Sequence, residues 1–128
     1  MNGETSLAHL LEHMSPQLNP GEYVFSTVSD PSVLDPHQLI SSIREAEGLS
    51  VIVEHGYAEQ LGLPFDYVAA WITLNVHSAL SAVGLTAAFA SALGQAQISC
   101  NVVAGHYHDH IFVAKADATR AMEVLKSM

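Results

Sequence analysis

The segment Gly84–Val113, GLTAAFASALGQAQISCNVVAGHYHDHIFV, decides the fold. Within it Leu85, Ala88, Phe89, Ala92, Leu93 and Ala96 recur at i, i+3, i+4, i+7, i+8 and i+11, the apolar stripe of a helix with one buried face. Ile98–Val103 (ISCNVV) and His110–Ala114 (HIFVA) follow as runs rich in β-branched residues, and read as strands. The residues between them, Gly105 to Asp109, have the length of a hairpin connection. Downstream, Asp117 is placed to N-cap a last helix that turns Ala118, Ala121, Met122, Leu125 and Met128 inward. Upstream, Trp71 to His77 alternates strictly, with Ile72, Leu74 and Val76 on one face and Thr73, Asn75 and His77 on the other. Residues 68–128 therefore run β-α-β-β-α, one strand short of the βαββαβ ferredoxin-like plait.

The first half carries weaker signals of the same kind. Leu7, Leu10, Leu11 and Met14 fall at helical spacing, and Ser15-Pro16 ends that helix. Pro20-Gly21 is a turn, Tyr23–Val28 (YVFSTV) a strand, and Ser29–Pro36, with two prolines and two aspartates, a loop. Leu39–Arg44 leans to a strand. Leu49–Val53 (LSVIV) is a buried strand, and His55–Leu61 is a short helix closed by Gly62 and Pro64. The order α-β-β-β-α suggests a degenerate partner unit that supplies or receives the missing strand. The expected architecture is α+β: a duplicated plait over residues 1–66 and 67–128, with antiparallel sheets and helices on one face.

Bulk composition narrows the function classes. At 128 residues, 49% hydrophobic and 13% charged, the chain is suited to a buried core rather than to disorder. Thirteen Asp and Glu against four Lys and Arg give a net charge of −9, which sets nucleic acid and anionic membrane surfaces aside, because both are bound through cations. The single cysteine, Cys100, has no intramolecular partner and sits in an apolar run, so it reads as a small buried residue rather than a nucleophile. The opening MNGETSLAHLLEHM lacks a basic n-region and is not a signal peptide. The apolar stretch near 79–98 is broken by Ser, Gly, Thr and Gln, as in a packed helix and not a membrane span. These features predict a cytoplasmic protein.

The segment Gly84–Val113, continuing into an Ala/Leu-rich helix, resembles the C-terminal part of ACT domains: a Gly-Val/Leu turn, a small-residue helix, a Gly-Ile-Asn/Ser strand, then an Asp-x-x-x-Val strand. Arg44–Glu54 (REAEGLSVIVE) is similar to the strand pair of a bacterial family of stand-alone, tandem ACT-like proteins. The resemblance is dense between residues 71 and 115 and looser between 29 and 66. It implies a non-catalytic regulatory module without a cofactor, related to the regulatory parts of aspartate kinase. It also implies an amino acid or related metabolite bound at the turn between first strand and first helix, usually where two ACT units meet. Carried onto this chain, the turn is Asn75 to Leu85, with Asn75, His77, Ser78, Val83, Gly84 and Leu85 as ligand-binding positions. Asn101 and Val102 stand on the facing strand, and Asp109 where relatives place an acid. The chemistry agrees, since a helix start at Gly84 offers N–H groups and a positive dipole to a carboxylate. Gly84 lets a backbone approach, and Asp109 suits an ammonium group.

His106, His108 and His110 alternate along HYHDH. On an extended strand they share a face at about 7 Å spacing and have the chemistry to ligate Zn or Ni, with His77 as a fourth group. The metallo-hydrolase motif His-x-His-x-Asp-His is longer by one residue, so that role is not carried over. No Gly-x-Ser-x-Gly elbow, P-loop or dinucleotide fingerprint occurs. Three readings stay open: a ligand-binding regulatory module, a metal-binding protein or metal-dependent enzyme built on the histidines, and a structural module that dimerises and docks on a partner enzyme or transporter. A homodimer fits all three.

Overall fold

The computed structural model describes residues 6–76 and 83–128. In chain order the elements are α1 (Leu7–His13), β1 (Ser15–Leu18), β2 (Tyr23–Val28), β3 (Ser41–Glu45), β4 (Gly48–Glu54), α2 (His55–Leu61), β5 (Val68–Asn75), α3 (Leu85–Gln95), β6 (Asn101–Ala104), β7 (Asp109–Ala114) and α4 (Ala118–Lys126). They fall into two compact units, Gly21–Ala69 and the remainder, Ala70–Met128 together with the residues up to Pro20. β5 begins in one and ends in the other.

The unit containing Ala70–Met128 holds its strands in the order β6-β7-β5-β1. That is the 2-3-1-4 order of a ferredoxin-like plait, with β1 in the place of the fourth strand. The strand missing from the C-terminal half is thus supplied by the N-terminal end of the chain. β1 pairs antiparallel with β5, Ser15 opposite Asn75 and Leu18 opposite Ile72. Sequence patterning missed β1: four residues, one of them Pro16, are too short for an alternation to register. The proline is accommodated because the strand sits on the edge of β5, where one missing N–H costs little. One face of this sheet is covered by helices. Ile72, Leu74, Ile111 and Val113 pack against Leu85, Phe89 and Leu93 of α3, Ala121 and Leu125 of α4, and Leu10 of α1. Fully burying each large side chain contributes about 1.5–3 kcal/mol.

α3 ends in a Schellman-type turn. The Ile98 N–H bonds to the Leu93 carbonyl at 2.9 Å, and Gln97 adopts φ 60° in the position usually given to glycine. That turn drops Ile98 into the core and delays the strand, so β6 starts at Asn101 rather than at Ile98. Asp117 does not cap α4 through its side chain. A 3-10 turn over Lys115–Asp117 leads into the helix, and the Asp117 carboxylate accepts instead from Arg120 Nη1 at 3.0 Å.

The unit Gly21–Ala69 has the order β3-β4-β2-β5 and the same plait logic. β2 pairs antiparallel with β4 along its whole length, and with β5 only at Tyr23–Ala69 and Val24–Val68. The first helix of the plait is replaced by two 3-10 turns, Pro31–Val33 and Pro36–Gln38. Each opens with a proline behind an aspartate, and Asp30 and Asp35 accept from the N–H groups of Ser32 and His37 at 3.0 Å. α2 stops where Gly62 turns left-handed, φ 68°. Val24, Val28, Val51, Val53 and Ala58 form the core of this unit. The two units are the tandem α+β plaits expected from the sequence.

Candidate functional site

The site predicted between β5 and α3 is built on a backbone feature. Gly84 has φ 103° and ψ −23°, a conformation that L side chains rarely adopt, and it opens α3. A Cβ there would also meet Leu7 Cδ2 at 3.1 Å. The Gly84 carbonyl accepts from Ala88 N–H at 2.9 Å, the first bond of the helix. The N–H groups of Leu85, Thr86 and Ala87 precede that bond and have no acceptor within the helix. Among the described residues no side-chain cap is made to this end. The result is the positive end of an eleven-residue helix that opens on a left-handed glycine.

The neighbouring side chains sort themselves by burial. Leu85 is only 3% exposed and belongs to the core, so its main chain alone is available to a ligand; Val83, at 82%, stands in solvent. Asn75, the last residue of β5, donates from Nδ2 to Gln17 Oε1 at 2.9 Å. His77 and Ser78 lie outside the described residues.

The β6–β7 hairpin separates the other predicted contacts. Asn101 pairs with Phe112 and donates from Nδ2 to its carbonyl at 3.2 Å, whereas Asp109 pairs with Ala104 beside the turn. Asn101 and Asp109 stand three register steps apart, about 10 Å along the hairpin. Asp109 and its neighbour His108 stand at the C-terminal end of β5, where His108 Nδ1 lies 3.3 Å from the Val76 carbonyl oxygen. Asn101 and the part-exposed Val102 stand towards the other end. Burial pushes the Asp109 carboxyl above the usual carboxylate range, against the opposing pull of His110 and His108.

The three hairpin histidines do not converge. His106 is exposed, its ring 5.1 Å from that of Tyr107, and His108 turns to Val76. His110 faces β5, where Trp71 Nε1 donates to its Nδ1 at 3.0 Å and Thr73 Oγ1 lies 3.2 Å from the same atom. The straight-strand spacing fails because Gly105–His108 is a turn, closed by the Gly105 N–H on the His108 carbonyl at 2.9 Å. Among the described residues no three His, Cys, Asp or Glu side chains are grouped to hold a metal ion. Cys100 is half-buried against the core, and burial raises its thiol pKa, which suits packing rather than nucleophilic attack.

Two features went unread in the sequence. Trp71, Thr73 and Asn19 surround His110, and the alternation of β5 had already placed Thr73 on the face away from the helices. In the other unit, Phe25, Ser26, Thr27, Pro64, Phe65 and Asp66 line an open depression of about 390 Å³. It lies where β2 runs past the end of its pairing with β5, and Ser26 Oγ donates to the Pro64 carbonyl at 2.6 Å.

The chain is thus two plaits in tandem, one of them opening its first helix on a left-handed glycine. Residues 2–70 and 67–127 each match a model of the ACT domain, and the chain belongs to that family. It is similar to the crystal structure of a Vibrio cholerae protein of unknown function described as a possible transport protein. That likeness has 46% identity over 96% of this chain and 95% of the other, with a TM-score of 0.84. A protein from Agobacterium tumefaciens is 19% identical over 89% of this chain and 87% of its own, with a TM-score of 0.68. The aspartate kinase of Clostridium acetobutylicum, an allosteric enzyme, is 10% identical over 89% of this chain and 34% of its own, with a TM-score of 0.63. These last two show the shared fold. A comparison with curated proteins finds no match. ACT domains are regulatory rather than catalytic units and bind small molecules. Among the described residues no helix is long and apolar enough to cross a membrane.

Proposed function

We propose that this chain is a non-catalytic cytoplasmic sensor that binds an amino acid, or a close relative of one, at the turn between β5 and α3. The observation that carries the proposal is the start of α3 behind left-handed Gly84. Its N–H groups suit an α-carboxylate, and among the described residues no side-chain cap is made to them. His108 and Asp109 at the same end of β5 supply a polar rim, and Asp109 is the natural partner for an α-ammonium group. Asn101 and Val102, farther along the hairpin, are the outlying positions of the proposed site. The repeats are taken as residues 1–66 and 67–128, and the working assembly as a homodimer that reports ligand occupancy to an enzyme or transporter.

A thermal-shift screen of the twenty amino acids at millimolar concentration tests this. A ligand that binds only the folded chain stabilises it by about 2.7 kcal/mol at a hundred times its dissociation constant. One or a few amino acids should raise Tm; no rise with any of them would count against the proposal.

A further inference from the structure

His110 sits in a hydrogen-bond chain whose protons can all be assigned. Asn19 donates from its main-chain N–H to the Trp71 carbonyl at 2.9 Å, and from Nδ2 to that carbonyl at 3.2 Å and to Thr73 Oγ1 at 2.9 Å. With its oxygen accepting from Asn19, the Thr73 hydroxyl has its one proton left for His110 Nδ1, 3.2 Å away. Trp71 Nε1 donates to the same nitrogen at 3.0 Å, and an indole N–H only donates. Nδ1 is therefore an acceptor and the neutral ring carries its proton on Nε2. That edge packs on the hairpin turn, since a Cβ on Gly105 would lie 3.2 Å from His110 Nε2.

A proton added at Nδ1 would set an N–H against the indole N–H and the threonine hydroxyl. With the Nε2 edge against Gly105 and Nδ1 against two donors, relief comes by movement of the hairpin that carries the ring. We infer that Asn19, Thr73, Trp71 and His110 form a proton-operated latch: neutral His110 holds the β6–β7 hairpin on β5, and protonation in mild acid expels the Trp71 indole N–H and loosens the Gly105–His108 turn. The charges facing His110 come from its own hairpin. Asp109 favours the imidazolium, while His108 and, above all, burial oppose it. β5 presents Trp71 and Thr73, the segment after β1 presents Asn19, and β6 presents Val103 opposite His110; none is charged. His108, resting on Val76, carries the movement to the end of β5. The latch does not depend on the ligand proposed above.

The chain has a single tryptophan, so its ¹⁵N–¹H spectrum contains one indole resonance to follow from about pH 8 to about pH 5. The indole peak and the Gly105 amide should titrate together, with a midpoint below the free-imidazole value of about 6.5. His110→Asn, which keeps an acceptor near the Nδ1 position, should abolish the titration. His108→Asn should raise the midpoint and Asp109→Asn lower it. Should His110→Asn fail to fold, Thr73→Val serves instead: loss of the hydroxyl donor should raise the midpoint. An indole resonance that stays fixed across this range in the folded chain, or titrates unchanged in His110→Asn, would overturn the latch.

Discussion

Replacing Gly105 by alanine puts the hairpin geometry to a quantitative test. Gly105 does not occupy the left-handed region, so its backbone tolerates alanine, and the smaller entropy of the unfolded chain would favour the variant by about 0.4–1 kcal/mol. The added Cβ, however, would lie 2.9 Å from the His108 carbonyl oxygen. Carbon and oxygen rest at about 3.3 Å or more, so the turn must open by about 0.4 Å. The same oxygen accepts the Gly105 N–H, and opening the turn weakens that bond, worth about 1 kcal/mol. Overpacking adds about 1–3 kcal/mol. The clash outweighs the entropy gain, and the expected net loss is about 1–3 kcal/mol, or a Tm drop of about 4–12 °C. Because His110 Nε2 faces the same Cβ, the imidazole should also draw off Trp71 and move the indole resonance. Urea unfolding monitored by circular dichroism, with one ¹⁵N–¹H spectrum of the folded variant, measures both. Stability within about 0.5 kcal/mol of the parent and an unmoved indole peak would refute the reasoning.

Other expectations follow from individual contacts. Phe89→Ala removes a fully buried ring from the core beneath α3 and should cost about 3–5 kcal/mol in chemical denaturation. Gly84→Ala forces a strained φ and a 3.1 Å contact with Leu7, so it should lower Tm and weaken binding of any amino acid found in the thermal-shift screen. Two groups of the hairpin give opposite pH dependences. The His110 pKa is lowered by folding, so in the interval just below about 6.5 the unfolded chain holds more protons and stability falls as pH falls. The Asp109 pKa is raised by folding, so above 3.8 and up to its folded value the native chain holds more protons and stability falls as pH rises. Urea midpoints across pH should show the first dependence vanish in His110→Asn and the second in Asp109→Asn.

The parts of the fold that sequence reveals are those governed by periodic burial. The stripe from Leu85 to Leu93 and the alternation of Ile72 and Leu74 both survive as a single core, because each face has only one partner to meet. β1 is different. Ser15–Leu18 has no pattern of its own, and only the unfilled edge of β5 makes it a strand. Asp117 illustrates a second limit: a local capping preference of about 1 kcal/mol yields to a preceding 3-10 turn and an available arginine. At the site, Gly84 was legible as the glycine that opens α3, and its left-handed backbone, which the pattern alone did not show, is the conformation that selects glycine. The order of Asn101 and Asp109 along the sheet was not, since it follows from the hairpin register. The histidines show the same gap. Their spacing suggests one face, but the turn at Gly105 sends His106 to solvent and His110 to Trp71.

The central claim is that a small amino-acid-like metabolite binds at the start of α3, and the most direct measurement is an amide ¹⁵N–¹H spectrum recorded with and without amino acids at millimolar concentration. The account predicts saturable shifts, produced by one or a few amino acids, at Gly84 to Ala88 and at His108 and Asp109. Spectra unchanged by every amino acid, or shifts gathered instead around Phe25 and Phe65, would contradict it.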